Sequence, residues 1–202
     1  MLKNYIPQDQ PLVLASASPR RLELLQRYGI QPQVITAEVD ECMDDGVTPE
    51  LLVMDNAERK ALAVGDIAPA DALIIAADTV VVLDAKVLGK PADTDEAKAM
   101  LRALSGQRHS VYTGICLVDN KHGEVISGVQ QTVVEFATLS AADIDTYVAG
   151  GEPMDKAGAY GIQGQGLFLV ERIEGDYGTV MGLSLPLLRS LLESRNLALG
   201  VE

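Results

Sequence analysis

The run ALIIAADTVVVL, residues 72–83, constrains this chain more than any other stretch. Its length and β-branched content read as one long apolar strand, and Asp84–Ala85 behind it suits a turn that returns the chain through KVLGKP as a hairpin. Asp78 breaks the pattern. A carboxylate flanked by Ile74, Ile75, Val80 and Val81 is expensive to bury unless a cation or several donors hold it. Two readings stand at this point. Asp78 is either a structural aspartate tying a strand end to a loop or capping a helix, or an acid holding a metal ion or a hydrogen-bonded water that would act as a nucleophile.

Around this strand, strand and helix patterns alternate. A strand over 11–16 leads to a helix over 19–28, an extended piece follows in PQVITAEVDE, and TPELLVMDNAERKALAVG has helical spacing. Beyond the hairpin, Asp93 and Glu96 open a helix as a capping box and Gly106 ends it. HSVYTGICLVD and EVISGVQQTVVEFATL read as long strands joined at NKHG and paired antiparallel. Ser140 and Asp143 start a short helix that Gly150–Gly151 stop, LFLVERIEG reads as a strand, and SLPLLRSLLESRN closes the pattern as an amphipathic helix. The expected fold is α/β with a mixed sheet and flanking helices. With 202 residues and no low-complexity linker, a single domain over 1–202 is expected.

Composition excludes several function classes. Sixteen basic against 29 acidic residues give a formal charge of −13, which repels a long phosphate backbone, so nucleic acid is not expected as the main partner. The apolar run around Asp78 is too short to span a bilayer, and MLKNYIPQDQP has no apolar core of signal-peptide length, so no membrane partner is expected either. Cys42 and Cys116 lie far apart with no CxxC spacing, which fits a reducing, cytoplasmic setting. His109 and His122 have no metal-pair spacing.

The stretch LASASPRRLELL supplies a second chemical element. Ser18 suits a helix N-cap and Pro19 the first helical position, yet Arg20 and Arg21 occupy the first turn, where the helix dipole disfavours cations. A bound polyanion removes the conflict: the N–H groups of the turn, the Ser16 and Ser18 hydroxyls and two guanidiniums are suited to phosphate oxygens. The competing reading is a solvated pair of arginines matched to Glu23 or another surface acid. Lys60, Lys90 and Lys156 are further phosphate candidates. Lys90 and Lys156 stand in glycine or proline turns that can aim a side chain. Asp40 and Glu41 either share a metal with Asp78 or form a solvated acidic loop. DKAGAYGIQGQG lacks the order of a dinucleotide fingerprint, and no Walker phosphate loop occurs.

Taken together, LASASPRR, AADTVV, GKP, LSGQRHSVYTG and DKAGAYGIQG occur in the order found in the Maf-like nucleoside triphosphate pyrophosphatases, and the chain resembles that family from about Leu12 to the last helix. The resemblance implies an elongated mixed sheet with two lobes around a central cleft, similar to inosine triphosphate pyrophosphatases. It implies hydrolysis of a nucleoside triphosphate to the monophosphate and pyrophosphate with a divalent cation, Mg²⁺ or Mn²⁺. Asp78 corresponds to the proton acceptor, and Arg20, Arg21, Lys60, Lys90 and Lys156 to the phosphate site. Glu41 corresponds to a metal ligand alongside Asp78, and a homodimer follows from the resemblance alone.

S-P-R-R, the threonine after Asp78 and I-Q-G resemble members acting on dTTP and UTP, which makes Arg20, Thr79 and Gln163 the specificity positions. The Gln163 amide offers a donor and an acceptor suited to the O4 and N3–H edge of uracil or thymine. Members acting on 7-methyl-GTP resemble S-P-W-R or S-P-Y-R instead, where an aromatic ring could stack on a methylated purine. Two rival readings stand beside these: a modified pyrimidine triphosphate as substrate, and a nucleotide-binding regulator of division that turns nothing over. One departure is GDYGTVMGLSLP, where the family has G-x-Y-x-N-V-V-G-L-P. Thr179 takes the asparagine position and two extra residues precede Pro186, which bears on local packing or a subunit contact.

Overall fold

The computed structural model describes residues 2–40 and 46–200. Seven strands and six α-helices are found among these residues: β1 (Leu12–Ala15), α1 (Pro19–Arg27), β2 (Gln33–Val34), α2 (Pro49–Gly65), β3 (Leu73–Leu83), β4 (Lys86–Leu88), α3 (Thr94–Leu104), β5 (Arg108–Asp119), β6 (Glu124–Phe136), α4 (Ala141–Ala149), β7 (Val170–Glu174), α5 (Tyr177–Met181) and α6 (Leu185–Leu199). They form one sheet in the order β2-β1-β3-β5-β6-β7, with β4 paired to β3. The sheet is mixed: β1 runs parallel to β2 and β3, whereas β3–β4 and β6–β7 are antiparallel.

Local chemistry explains the boundaries. The β3–β4 hairpin turns on Asp84 and Ala85, both at positive φ (49° and 65°), as a two-residue turn requires when its twist is to match the strands. Thr48 caps α2 by accepting the Leu51 N–H, with Pro49 behind it. Asp93 caps α3 through the Glu96 N–H, while the Glu96 carboxylate accepts the Ala92 N–H, one residue earlier than a capping box would have it. Ser140 and Asp143 form the full reciprocal box at α4.

Three expectations change. The extended piece after α1 contributes only a two-residue strand. In LFLVERIEG the strand begins at Val170, because Gly164–Leu169 is wound into 3₁₀ turns. On α1, where helical spacing puts Leu22, Leu25 and Tyr28 on one face, the buried residues are Leu24 and Leu25, and Tyr28 is exposed.

The chain forms two compact units, and β3, β5 and β6 each contribute residues to both. The first contains Met1–Asp78, Thr113–Gln130 and Gly182–Glu202; the second contains Thr79–Tyr112 and Gln131–Met181. In the first, Val13, Ala15, Ile74, Ala76, Cys116 and Val118 of the sheet pack with Ala57, Ala61 and Val64 of α2. Small residues there let the helix approach closely: a Cβ on Gly114 would stand 2.3 Å from the Val53 carbonyl oxygen. In the second, Val81, Val111, Val134 and Phe136 pack with Leu101 and Leu104 of α3, Ile144 and Tyr147 of α4, and Tyr160. No helix among the described residues is long and apolar enough to cross a membrane.

Candidate active site

In the first unit, Ser16 follows β1 and is buried. Its hydroxyl accepts the Ser18 N–H (3.2 Å) and Arg21 Nη1 (3.0 Å), so the SASPRR turn closes around Ser16. Arg21 Nε also donates to the Gly182 carbonyl at 2.7 Å, which braces α1 against the segment leading to α6. Ser18 stands at the N-cap with extended backbone angles, but its hydroxyl makes no capping bond, contrary to the simple reading of a serine there. The first turn of α1 contains no acid, and Glu23 is engaged by Arg27 at 2.6 Å. The cationic start of this helix is a structural fact, and it favours anions at the turn.

Asp78 lies in the same unit, 6% exposed. β1 and β3 run parallel with Ala15 opposite Ala76, so Asp78, midway along β3, lies two residues beyond the level at which β1 ends and the serine–arginine turn begins. Ligands of open α/β sheets gather beyond the carboxyl ends of the strands. Two side chains one turn apart on α2 meet the carboxylate: Asn56 Nδ2 donates to Oδ2 at 3.2 Å, and Lys60 Nζ donates to Oδ1 at 2.6 Å. An ammonium group and an amide therefore compensate the cost of burying this acid. Asn56, which is 1% exposed, was missed by sequence reasoning. Its signal was the i, i+4 spacing to Lys60 on a helix packed against the acid's strand.

The second unit holds the other candidates. The Gly158 N–H donates to the Gly89 carbonyl at 3.0 Å, bringing the GKP and DKAGAYG turns, and so the backbones at Lys90 and Lys156, together. Gly158 is at φ 68°, and a Cβ there would press on Val81 at 3.0 Å, so this turn requires glycine. Lys90 is exposed. Lys156 is half-buried, its ammonium donating to the Glu152 carbonyl and, at 2.7 Å, to Asp155 Oδ1. Gln163 is half-buried just before the 3₁₀ turns, and Thr79 directly follows Asp78 on β3. Thr179 is fully buried and its hydroxyl donates to Asp176 Oδ2 at 3.1 Å, so local packing accommodates threonine at the departing position.

Other chemistries find little footing. Burial, with the charge of Glu58 adding, pushes the Cys116 thiol up to about 12, leaving an unreactive group. Glu41 and Cys42 lie outside the described residues, and Asp40 is exposed. Among the described residues no three His, Cys, Asp or Glu side chains gather as a metal cage. A divalent cation of the magnesium type commonly takes one or two carboxylates and completes its shell with water and substrate phosphates; at Asp78 it would share oxygens that already accept from Lys60 and Asn56.

An α/β sheet in which an anion-favouring turn follows the carboxyl end of β1, with a lysine-paired acid just beyond that level on the parallel neighbour β3, has the arrangement at which open α/β sheets bind ligands. The sequence profile described as Maf-like protein matches residues 11–195, and the chain belongs to that family. It is 51% identical over 181 residues to a dTTP/UTP pyrophosphatase of Gloeobacter violaceus, covering 90% of this chain and 94% of the relative. A dTTP/UTP pyrophosphatase of Pelotomaculum thermopropionicum is 47% identical over 182 residues, covering 90% and 95%. Among solved structures, the Ham1 protein of Staphylococcus aureus matches with a TM-score of 0.53 at 16% identity, over 92% of this chain and all of that one, which bears out the fold alone.

Proposed function

We propose that this protein hydrolyses dTTP and UTP to the corresponding monophosphate and pyrophosphate. The buried Asp78, held by Lys60 and Asn56 on β3 just beyond the level at which β1 gives way to the SASPRR turn, is the observation that carries the reading. The names of relatives sharing about half their residues with the chain support the substrate class.

In this reading Asp78 orients a water for attack on the α-phosphorus and takes up its proton. The Ser16–Arg21 turn receives phosphate oxygens through its N–H groups, the Ser18 hydroxyl and the guanidiniums of Arg20 and Arg21. Arg21, fixed by Ser16 and the Gly182 carbonyl, also keeps the turn in shape. Lys60, Lys90 and Lys156 add positive charge toward the departing pyrophosphate. Arg20, Thr79 and Gln163 discriminate the base. A divalent cation would be held by Asp78, with Glu41 as a further ligand, and would supply Lewis-acid polarisation of phosphate oxygens. A soluble cytoplasmic enzyme, active as a homodimer and clearing unwanted pyrimidine triphosphates, fits this chemistry.

Incubation with dTTP, UTP and 7-methyl-GTP in the presence of Mg²⁺ tests the reading. Pyrophosphate should appear with the two pyrimidine nucleotides first. Orthophosphate without pyrophosphate, or preference for 7-methyl-GTP, would overturn it.

A further inference from the structure

The segment bearing Gln163 joins short 3₁₀ turns rather than a strand or an α-helix, and its backbone is pinned at several points, most of which converge on one side chain. Glu152 opens the 3₁₀ turn Glu152–Asp155 just after α4. Its Oε1 accepts the Tyr147 hydroxyl (3.1 Å) and the Gly166 N–H (3.3 Å), and its Oε2 accepts the Gln165 N–H (3.1 Å). The Tyr147 hydroxyl in turn accepts the Gly161 N–H at 3.1 Å. Gln163 is therefore flanked by three anchored backbone positions, Gln165 and Gly166 reached directly by the carboxylate and Gly161 through the tyrosine.

The glycines around Gln163 record how closely these groups approach. A Cβ at Gly164 would stand 2.8 Å from Glu152 Oε2, one at Gly161 would stand 2.8 Å from Lys156 Cε, and one at Gly166 would stand 2.0 Å from the Gly161 carbonyl oxygen. A carboxylate beside residues intended for a polyanion is unfavourable unless it has another task. Here it is half-buried and has three donors, the arrangement of a structural acceptor.

We propose that Glu152 is a positioning residue for base recognition. Its carboxylate holds the 161–166 backbone in one conformation and thereby aims the Gln163 amide at the O4 and N3–H edge of a pyrimidine. The proposal rests on the reading of Gln163 as the base-discriminating residue. A loosened loop would let the amide sample orientations that serve cytosine, whose donor and acceptor are exchanged at this edge, as well as they serve uracil.

The experiment compares kcat and KM for UTP and CTP in the wild type, Gln163→Ala, Glu152→Gln and Tyr147→Phe, with thermal unfolding of each. Gln163→Ala should lower the UTP-over-CTP ratio of kcat/KM by about 5- to 10-fold, the range of one hydrogen bond. Glu152→Gln should lower the same ratio in the same direction, chiefly through KM for UTP, and the double variant Glu152→Gln/Gln163→Ala should be no worse than Gln163→Ala alone. Tyr147→Phe should show a smaller shift of the same sign, and it carries the test if Glu152→Gln does not fold. The proposal is overturned if Gln163→Ala changes the ratio while Glu152→Gln and Tyr147→Phe reduce turnover of UTP and CTP equally or leave both intact. If Gln163→Ala leaves the ratio unchanged, the reading of Gln163 itself fails and the proposal falls with it.

Discussion

At the scale of single residues, Asp78 and His109 show two ways in which burial is made tolerable. Asp78 is paired with an ammonium group and an amide. Asp78→Asn keeps the shape but removes the proton acceptor, so kcat for dTTP should fall about 10²- to 10⁴-fold with a smaller change in KM, measured by pyrophosphate release. His109 is instead kept neutral. It is 3% exposed, meets Phe136 and Tyr160 edge-on, and shares a 2.8 Å hydrogen bond with the Tyr160 hydroxyl through Nε2. Burial lowers its pKa to about 4. Between pH 6.5 and pH 4 the unfolded chain takes up a proton that the folded imidazole refuses. Stability from this residue is thus complete above about pH 6.5 and falls with pH, by about 2 kcal/mol from pH 7 to about pH 5. Urea midpoints at those two pH values should converge in His109→Gln relative to the wild type.

At the scale of elements, close approach dominates. α2 lies against β5 with so little room that Gly114→Ala must push Val53 and its helix outward, at a cost of about 1–3 kcal/mol. Because the same helix presents Asn56 and Lys60 to Asp78, that substitution should lower both Tm and kcat, whereas Gly123→Ala, which meets no atom but sits at φ 70°, should lower Tm only slightly. Elements with a local signature were legible in the sequence: the Asp84–Ala85 hairpin, the helix starts at Asp93 and Ser140, and the serine–arginine turn. The register of β1 on β3, which sets Asp78 just beyond the level at which that turn begins, depends on nonlocal pairing and has no local signature. The 3₁₀ winding of Gly164–Leu169 escaped because its apolar LFL resembles a strand while its backbone follows the Glu152 anchor. Glu152 and Asn56 look like ordinary surface residues until their partners, 13 and 22 positions away, are known.

At the scale of the molecule, the first unit is assembled from three separated stretches of chain, and one buried cluster contains a residue from each. Arg195 of α6, 2% exposed, donates to Asp119 Oδ2 through Nε at 2.7 Å and also through Nη2, which donates to Gln10 Oε1 at 2.6 Å as well. Gln10 Nε2 donates to Asp119 Oδ1 at 3.1 Å. Burial alone would raise the Asp119 carboxyl, but hydrogen bonds from His122, Arg195 and Gln10 and the arginine's charge hold it below the usual range. Its contribution is present above the ordinary carboxylate pKa and is lost in stronger acid, below the window in which His109 acts. α6 reads in sequence as an amphipathic helix, and nothing local marks Arg195 as interior. Arg195→Met strands the Asp119 charge and should destabilise the protein by about 3–5 kcal/mol, measured by denaturant unfolding at pH 7.

Translation makes the three partners in the order Gln10, Asp119, Arg195. The last is 76 residues behind the second, so at 5–20 residues per second the ribosome needs roughly 4–15 s to supply it. Throughout that interval the Asp119 carboxylate has Gln10, the Lys121 N–H and His122 to bond but lacks its one guanidinium partner, so the full burial of this cluster waits for the last helix to be made.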